Sequence, residues 1–204
     1  MQEDAKDNLT SLTLLQDLEN NTPGSWDRFV RLYAPLIYGW VRHHGVQPND
    51  AGDIRQEVFQ VILKKIGDFQ TDHPGPGGFR SWLWGITRIT LIAHCRRESR
   101  QTPGTGGSSA QIRLNQLTEQ EDEPDSIGEN SAQQVILQSA LEILKGETNS
   151  ETWQAFYRMA MKGESAEAIA SDFGKSPKTI RQAKYRLTVK LKQMLEDDIQ
   201  FTLE

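Results

Sequence analysis

Ser165-Ala166-Glu167-Ala168-Ile169-Ala170-Ser171-Asp172-Phe173-Gly174-Lys175-Ser176-Pro177-Lys178-Thr179-Ile180-Arg181 is the stretch that decides the fold. Ser165 offers its hydroxyl to the free N–H groups of a helix start, and the helix it caps runs for about two turns. Gly174 tolerates the backbone geometry of a tight turn. Ser176 caps again, and Pro177 falls in the first helical turn, where its missing N–H does no harm. Ala170 is small enough for a second helix to cross closely, while Ile169, Phe173, Ile180 and Leu187 supply a small core. Cap, turn glycine and second cap at this spacing spell a helix-turn-helix, in which the second helix is the one that fits a DNA major groove. Its polar face offers Lys178, Thr179, Arg181, Gln182, Lys184, Tyr185 and Arg186 to phosphates and base edges.

The charge pattern around this stretch sharpens the reading. From Lys175 to Lys192 every charged residue is basic, namely Lys175, Lys178, Arg181, Lys184, Arg186, Lys190 and Lys192. A second basic cluster, Arg96, Arg97 and Arg100, closes the segment that begins at Phe79. Between the two lies an acidic run of Glu119, Glu121, Asp122, Glu123, Asp125 and Glu129. A net charge of −5 over 204 residues therefore conceals two cationic modules on a polar tether.

Working toward the N-terminus, the apolar pattern stays helical. Leu12, Leu15 and Leu18 have helical spacing, which Thr22-Pro23-Gly24 ends. Ser25 can cap a helix carrying Trp26, Phe29, Val30, Tyr33, Leu36, Ile37, Trp40 and Val41, with Pro35 expected to kink or divide it. A third helix starts near Asn49 or Asp50 and buries Ile54, Val58, Val61, Ile62 and Ile66. Thr71–Gly78 reads as a loop, and Phe79, Trp82, Leu83, Ile86, Ile89 and Ile92 mark a fourth helix ending at Arg96-Arg97. Residues 99–131 have linker composition, with a short helix expected around Ile112–Leu117. Beyond them Val135, Leu137, Leu141 and Leu144 suggest one helix, and Trp153, Phe156, Tyr157 and Met161 another. Nothing alternates as a strand does, and the expected class is all-α.

Several function classes drop out. His43, His44, His73 and His94 are scattered, and no Ser-His-Asp set, phosphate loop or metal-ligand spacing is visible, so neither an enzyme nor a cofactor is expected. Cys95 is the lone cysteine, which rules out an intrachain disulfide and suits a reducing cytoplasm. The acidic Met1-Gln2-Glu3-Asp4 lacks signal-peptide order, and no apolar stretch is long enough to cross a membrane.

Two further segments carry functional residue types. Asp50-Ala51-Gly52-Asp53-Ile54-Arg55-Gln56-Glu57-Val58-Phe59 is a helix start with acidic first turns, which the helix dipole favours, and Asp53, Gln56 and Glu57 share a polar edge. Gly77-Gly78-Phe79-Arg80-Ser81-Trp82-Leu83-Trp84-Gly85-Ile86-Thr87-Arg88 interleaves aromatic rings with arginines, a combination suited to single-stranded nucleic acid. Trp82 reads as partly core, whereas Trp84 and Arg88, a turn apart, read as an outward pair.

In this order and spacing the three segments resemble bacterial sigma factors of the extracytoplasmic-function group. The acidic helix and Phe79-Arg80-Ser81-Trp82-Leu83 look like sigma region 2, and the helix-turn-helix looks like sigma region 4. The resemblance implies two small helical domains, over residues 10–98 and 132–198, joined by a flexible linker over 99–131. It implies a non-catalytic factor that binds core RNA polymerase and directs it to promoters. Asp53, Gln56, Glu57 and Val58 would dock on the clamp helices of the largest subunit, with a further contact at the polymerase flap. Phe79, Arg80, Ser81, Trp82, Trp84, Thr87, Arg88, Arg96 and Arg97 would recognise and melt the −10 element. Ser176, Lys178, Thr179, Arg181, Gln182, Lys184, Tyr185 and Arg186 would read the −35 element. Ile89 and Ala93 depart from the family, which commonly has Asn and Asp there. An anti-sigma partner is part of the same expectation. The alternative is a helix-turn-helix regulator acting without polymerase, which has no use for the acidic helix or the aromatic segment.

Overall fold

The computed structural model describes residues 13–69, 78–101, 107–119, 126–127 and 130–195. The chain divides after Ile136 into two compact units. Residues 71–77 of the expected loop and residues 102–106, 120–125 and 128–129 of the expected linker lie outside the described residues.

The N-terminal unit is a stack of helices around one aromatic core. Helix α1 (Thr13–Glu19) is followed by α2 (Ser25–His43), α3 (Pro48–Lys65) and a 3-10 turn at Ile66–Asp68. Then come α4 (Gly78–Gln101) and α5 (Gly107–Glu119), and a two-residue antiparallel ladder pairs Ser126–Ile127 with Asn130–Ser131. Gly24 turns the chain into α2 with a φ of 84°, a conformation glycine adopts without strain. Pro35 lies inside α2 without dividing it, so of the two expected outcomes division does not occur. A proline inside a helix costs about 3 kcal/mol, and each fully buried large apolar side chain returns about 1.5–3 kcal/mol. Phe29, Leu32, Tyr33, Leu36, Ile37, Trp40 and Val41 are all buried on this helix, so packing outweighs the lost hydrogen bond. Pro48 occupies the start of α3, where it lacks nothing.

The C-terminal unit holds α7 (Ser150–Met161), α8 (Ala166–Phe173) and α9 (Pro177–Leu195), with α6 (Ala132–Gly146) crossing the division between the units. The caps read from the sequence form. Ser165 Oγ accepts the Ala168 N–H at 3.2 Å, and Ser176 Oγ accepts the Thr179 N–H at 3.1 Å. Gly174 is left-handed, with φ 62° and ψ 31°. Ala155, Ala166, Ile169, Ala170, Ile180 and Ala183 make the buried contact, so small residues set how closely α7, α8 and α9 approach. Asn149 caps α7 by accepting the Thr152 N–H at 2.8 Å, a role its place ahead of Ser150-Glu151-Thr152 fits. Arg158 of α7 binds Glu164 at 2.8 Å through Nε and Asp172 at 2.6 Å, and lies over the Phe173 ring at 5.6 Å. These bonds hold its guanidinium protonated more firmly than usual and draw the Glu164 carboxyl below the ordinary range.

Candidate functional site

The polar edge of α3 comes first in the chain. Ala51, Ile54, Val58 and Ile62 turn inward, which leaves Asp53 and Gln56 exposed. Glu57 is half-buried and accepts both bonds of a bidentate pair from Arg97 Nη2 of α4, at 2.7 and 2.9 Å. Val58 is fully buried and holds the helix down. The edge thus presents two free-standing polar groups and a carboxylate already matched by a cation.

Helix α4 is apolar on more than one face, and its surroundings explain this. It packs against α2 and α3 and also against α5. Phe79 is 4% exposed, with its ring 5.4 Å from Tyr33 and 5.3 Å from Phe69. Thr87 is fully buried, and its hydroxyl donates to the Leu83 carbonyl at 2.9 Å. Trp84, expected on an outward face, is 2% exposed. Its ring stacks on His44 at 5.5 Å with planes 17° apart, and meets the Trp40 edge at 5.5 Å. This corrects the outward reading of Trp84, which is a core residue as Phe79 and Thr87 are. Burial, and secondarily the neighbouring His43 charge, lowers the His44 pKa to about 4, so that imidazole is neutral at pH 7. Ser81, Ile89, Arg96, Arg97 and Arg100 are exposed, and Trp82 and Arg80 are half-buried. Trp82 lies 5.2 Å from the Phe69 ring, which steadies it at the edge of the core.

Arg88 goes where sequence reasoning did not look. Its Nε donates to the Leu117 carbonyl at 2.6 Å and its Nη2 to the Thr118 carbonyl at 3.0 Å. Within the stretch read as a linker, the helix expected around Ile112–Leu117 forms over Gly107–Glu119 and docks on α4. Arg113 of α5 adds paired bonds to Glu98 at 3.1 and 3.2 Å. The sequence signal was present in Arg113 and Leu117, spaced one turn apart on one side of a polar helix.

The third surface is α9. Ile180, Ala183, Leu187, Leu191, Met194 and Leu195 are buried along one face. Ser176, Lys178, Thr179, Arg181, Gln182 and Arg186 are exposed on the other, Lys184 is half-buried, and Tyr185 is 71% exposed. Thr179 shares its hydroxyl with Ser176 across the cap at 2.9 Å. Arg181 pairs with Glu167 of α8, and Lys190 with Glu147 at 2.7 Å. Lys178, Lys184 and Arg186 have no ion pair among the described residues. The exposed side of α9 is cationic from its first turn.

Comparison with known proteins fits this geometry. The family model of Sigma-70 region 2 matches residues 29–101, which run from α2 to the end of α4. The ECF RNA polymerase sigma factor SigE of Mycolicibacterium smegmatis is 28% identical over 178 residues, covering 84% of this chain and 62% of that protein. Over α2–α4 the chain is thus similar to sigma-70 region 2, and over most of its length to an extracytoplasmic-function sigma factor. Among the described residues the chain is all-α apart from its two-residue ladder, as the sequence pattern implies. It spans a little under two thirds of the relative's length. No helix among the described residues is long and apolar enough to cross a membrane. Nor do the described residues gather a group of side chains able to hold a metal ion.

Proposed function

We propose that this chain binds core RNA polymerase and directs promoter-specific initiation, with the region 2 unit on the polymerase clamp and the −10 element and α9 on the −35 element. The observation that carries the reading is the cationic outer face of α9, in a chain of net charge −5 that also matches region 2 over α2–α4. Asp53, Gln56 and Glu57 supply the clamp contact, and Val58 supports them from the core. Arg80, Ser81, Trp82, Arg96 and Arg97 supply the −10 contact, with Trp82 as the ring at the rim on which a base can stack. Ser176, Lys178, Thr179, Arg181, Gln182, Lys184, Tyr185 and Arg186 supply the −35 contact. The C-terminal unit meets the polymerase flap, and an anti-sigma partner that covers these faces holds the factor inactive. The role is non-catalytic and cytoplasmic.

Glu57 pairs with Arg97, so the clamp contact and the −10 contact share an ion pair. Replacing Asp53 and Glu57 together with lysine puts cations where carboxylates belong and sets an ammonium beside the Arg97 guanidinium. Like charges juxtaposed at an interface cost several kcal/mol, of the order that separates binding from none. The double variant is expected to lose co-purification with core polymerase and to keep its helical circular dichroism. Retained co-purification contradicts the clamp assignment. Transcription stimulated without any polymerase contact favours the stand-alone regulator instead.

A further inference from the structure

Arg88 spends two guanidinium donors on the last carbonyls of α5. We propose that Arg88 is the centre of a nucleic-acid phosphate site on α4 and that α5 keeps this site closed in the free protein. The proposal deepens the sigma reading and takes from it only the identity of the ligand as nucleic acid.

The geometry supports it in three ways. An arginine fork that engages two neighbouring oxygens suits two oxygens of a phosphodiester equally well. The terminal carbonyls of a helix carry about half a negative charge in aggregate, whereas a phosphate carries a full one. Helix α5 therefore presents Arg88 with a weaker version of the ligand, which the ligand can displace. Second, α5 is held along one side and open to solvent along the other. Leu117 is fully buried, but Ile112 is 55% exposed, and Asn115, Gln116 and Thr118 are exposed as well. Third, the other anchor is remote from the site. Arg113 binds Glu98 and reaches the Gly45 carbonyl at 3.4 Å. Glu98 is ten residues beyond Arg88, about 15 Å along the helix, so its carboxylate does not oppose a phosphate at Arg88.

A closed site lowers the apparent affinity by the fraction of molecules in which it is open. Opening it must raise affinity, and the gain must depend on Arg88. The test uses the full chain and a short fluorescein-labelled single-stranded oligodeoxynucleotide of mixed sequence, with anisotropy as the readout. Hydrogen exchange reports separately whether α5 is docked. Leu117→Asp is expected to abolish exchange protection of α5 and to tighten binding about fivefold. Arg113→Gln, a milder change, is expected to give a smaller gain in the same direction. Adding Arg88→Ala to Leu117→Asp is expected to remove the gain. Unchanged or weaker binding in a variant whose α5 has lost protection, with the rest of the unit still protected, overturns the proposal. If Leu117→Asp loses protection throughout the unit, the Arg113→Gln result decides by the same criterion. Absence of oligonucleotide binding by any variant also overturns it. Co-purification of the wild-type chain with core polymerase decides the sigma reading independently of these outcomes.

Discussion

Helices α4 and α9 carry the two DNA contacts of the proposed function, and they are built on opposite plans. Helix α9 buries one face against α7 and α8 and leaves the other to solvent, so its cations stand clear. Helix α4 is covered by α2 and α3 and also by α5, and its aromatic and apolar residues are mostly core. The difference teaches that an aromatic-and-arginine segment has two readings. The rings of α4 are chiefly scaffold, and the proposed contact is left to the residues at its rim and to the arginines of its last turns.

The sharpest way to break this comparison is to truncate one aromatic on each helix. Trp84→Ala removes a buried indole stacked on His44 and is expected to cost about 3–5 kcal/mol in urea unfolding of the N-terminal unit. Tyr185→Ala on α9 is expected to stay within about 0.5 kcal/mol, because the ring is 71% exposed. Equal losses would mean that the two helices are packed alike.

His44 supplies a second contrast, since α9 carries no histidine. With a folded pKa of about 4 and an ordinary value of 6.5, the unfolded state takes up a proton first as pH falls. Stability is full above pH 6.5, declines as pH drops toward 4, and levels off below. The loss between pH 7 and pH 5 is expected to be about 2 kcal/mol. Urea titrations at the two pH values check it, and a loss that persists in His44→Gln would assign the effect elsewhere.

On α9 the comparison can be refined base by base. Arg181→Ala is expected to cost about 1–3 kcal/mol at a particular base pair of the −35 element and to relax discrimination there. Lys190→Ala is expected to weaken binding evenly across sequences and to lower the salt slope by about one. Lys190 also balances Glu147, so its loss leaves that carboxylate unmatched near the proposed DNA face. A −35 mutant panel at two salt concentrations separates the cases. Uniform losses for Arg181→Ala would make it a phosphate clamp rather than a reader.

A modest effect is expected at the turn. Gly174→Ala forces a Cβ into a left-handed conformation and should cost about 1–2 kcal/mol in thermal unfolding. Its surroundings are open, so backbone strain alone sets the loss.

These contrasts also explain what is legible in the sequence. Both helices of the helix-turn-helix follow from Ser165, Gly174, Ser176 and Pro177, because caps and turns are local and name their own residues. The simple alternation of α3 faces puts Asp53 and Gln56 on an exposed edge, where the structure has them. Trp84 is misread because a helix that is apolar on several sides has no periodicity to say which side faces out. The roles of Arg88, Arg97 and Arg181 are not legible either. Each is decided by a partner far along the chain, Leu117, Glu57 and Glu167 respectively, and sequence spacing carries no information about such pairs.

The most direct test of the central claim is run-off transcription with core RNA polymerase, this chain and a panel of promoter fragments. The account predicts specific transcripts from a subset sharing −35 and −10 elements, dependent on the chain and lost with the Asp53→Lys, Glu57→Lys double variant. A chain that binds duplex DNA but yields no chain-dependent transcript from any promoter would contradict it.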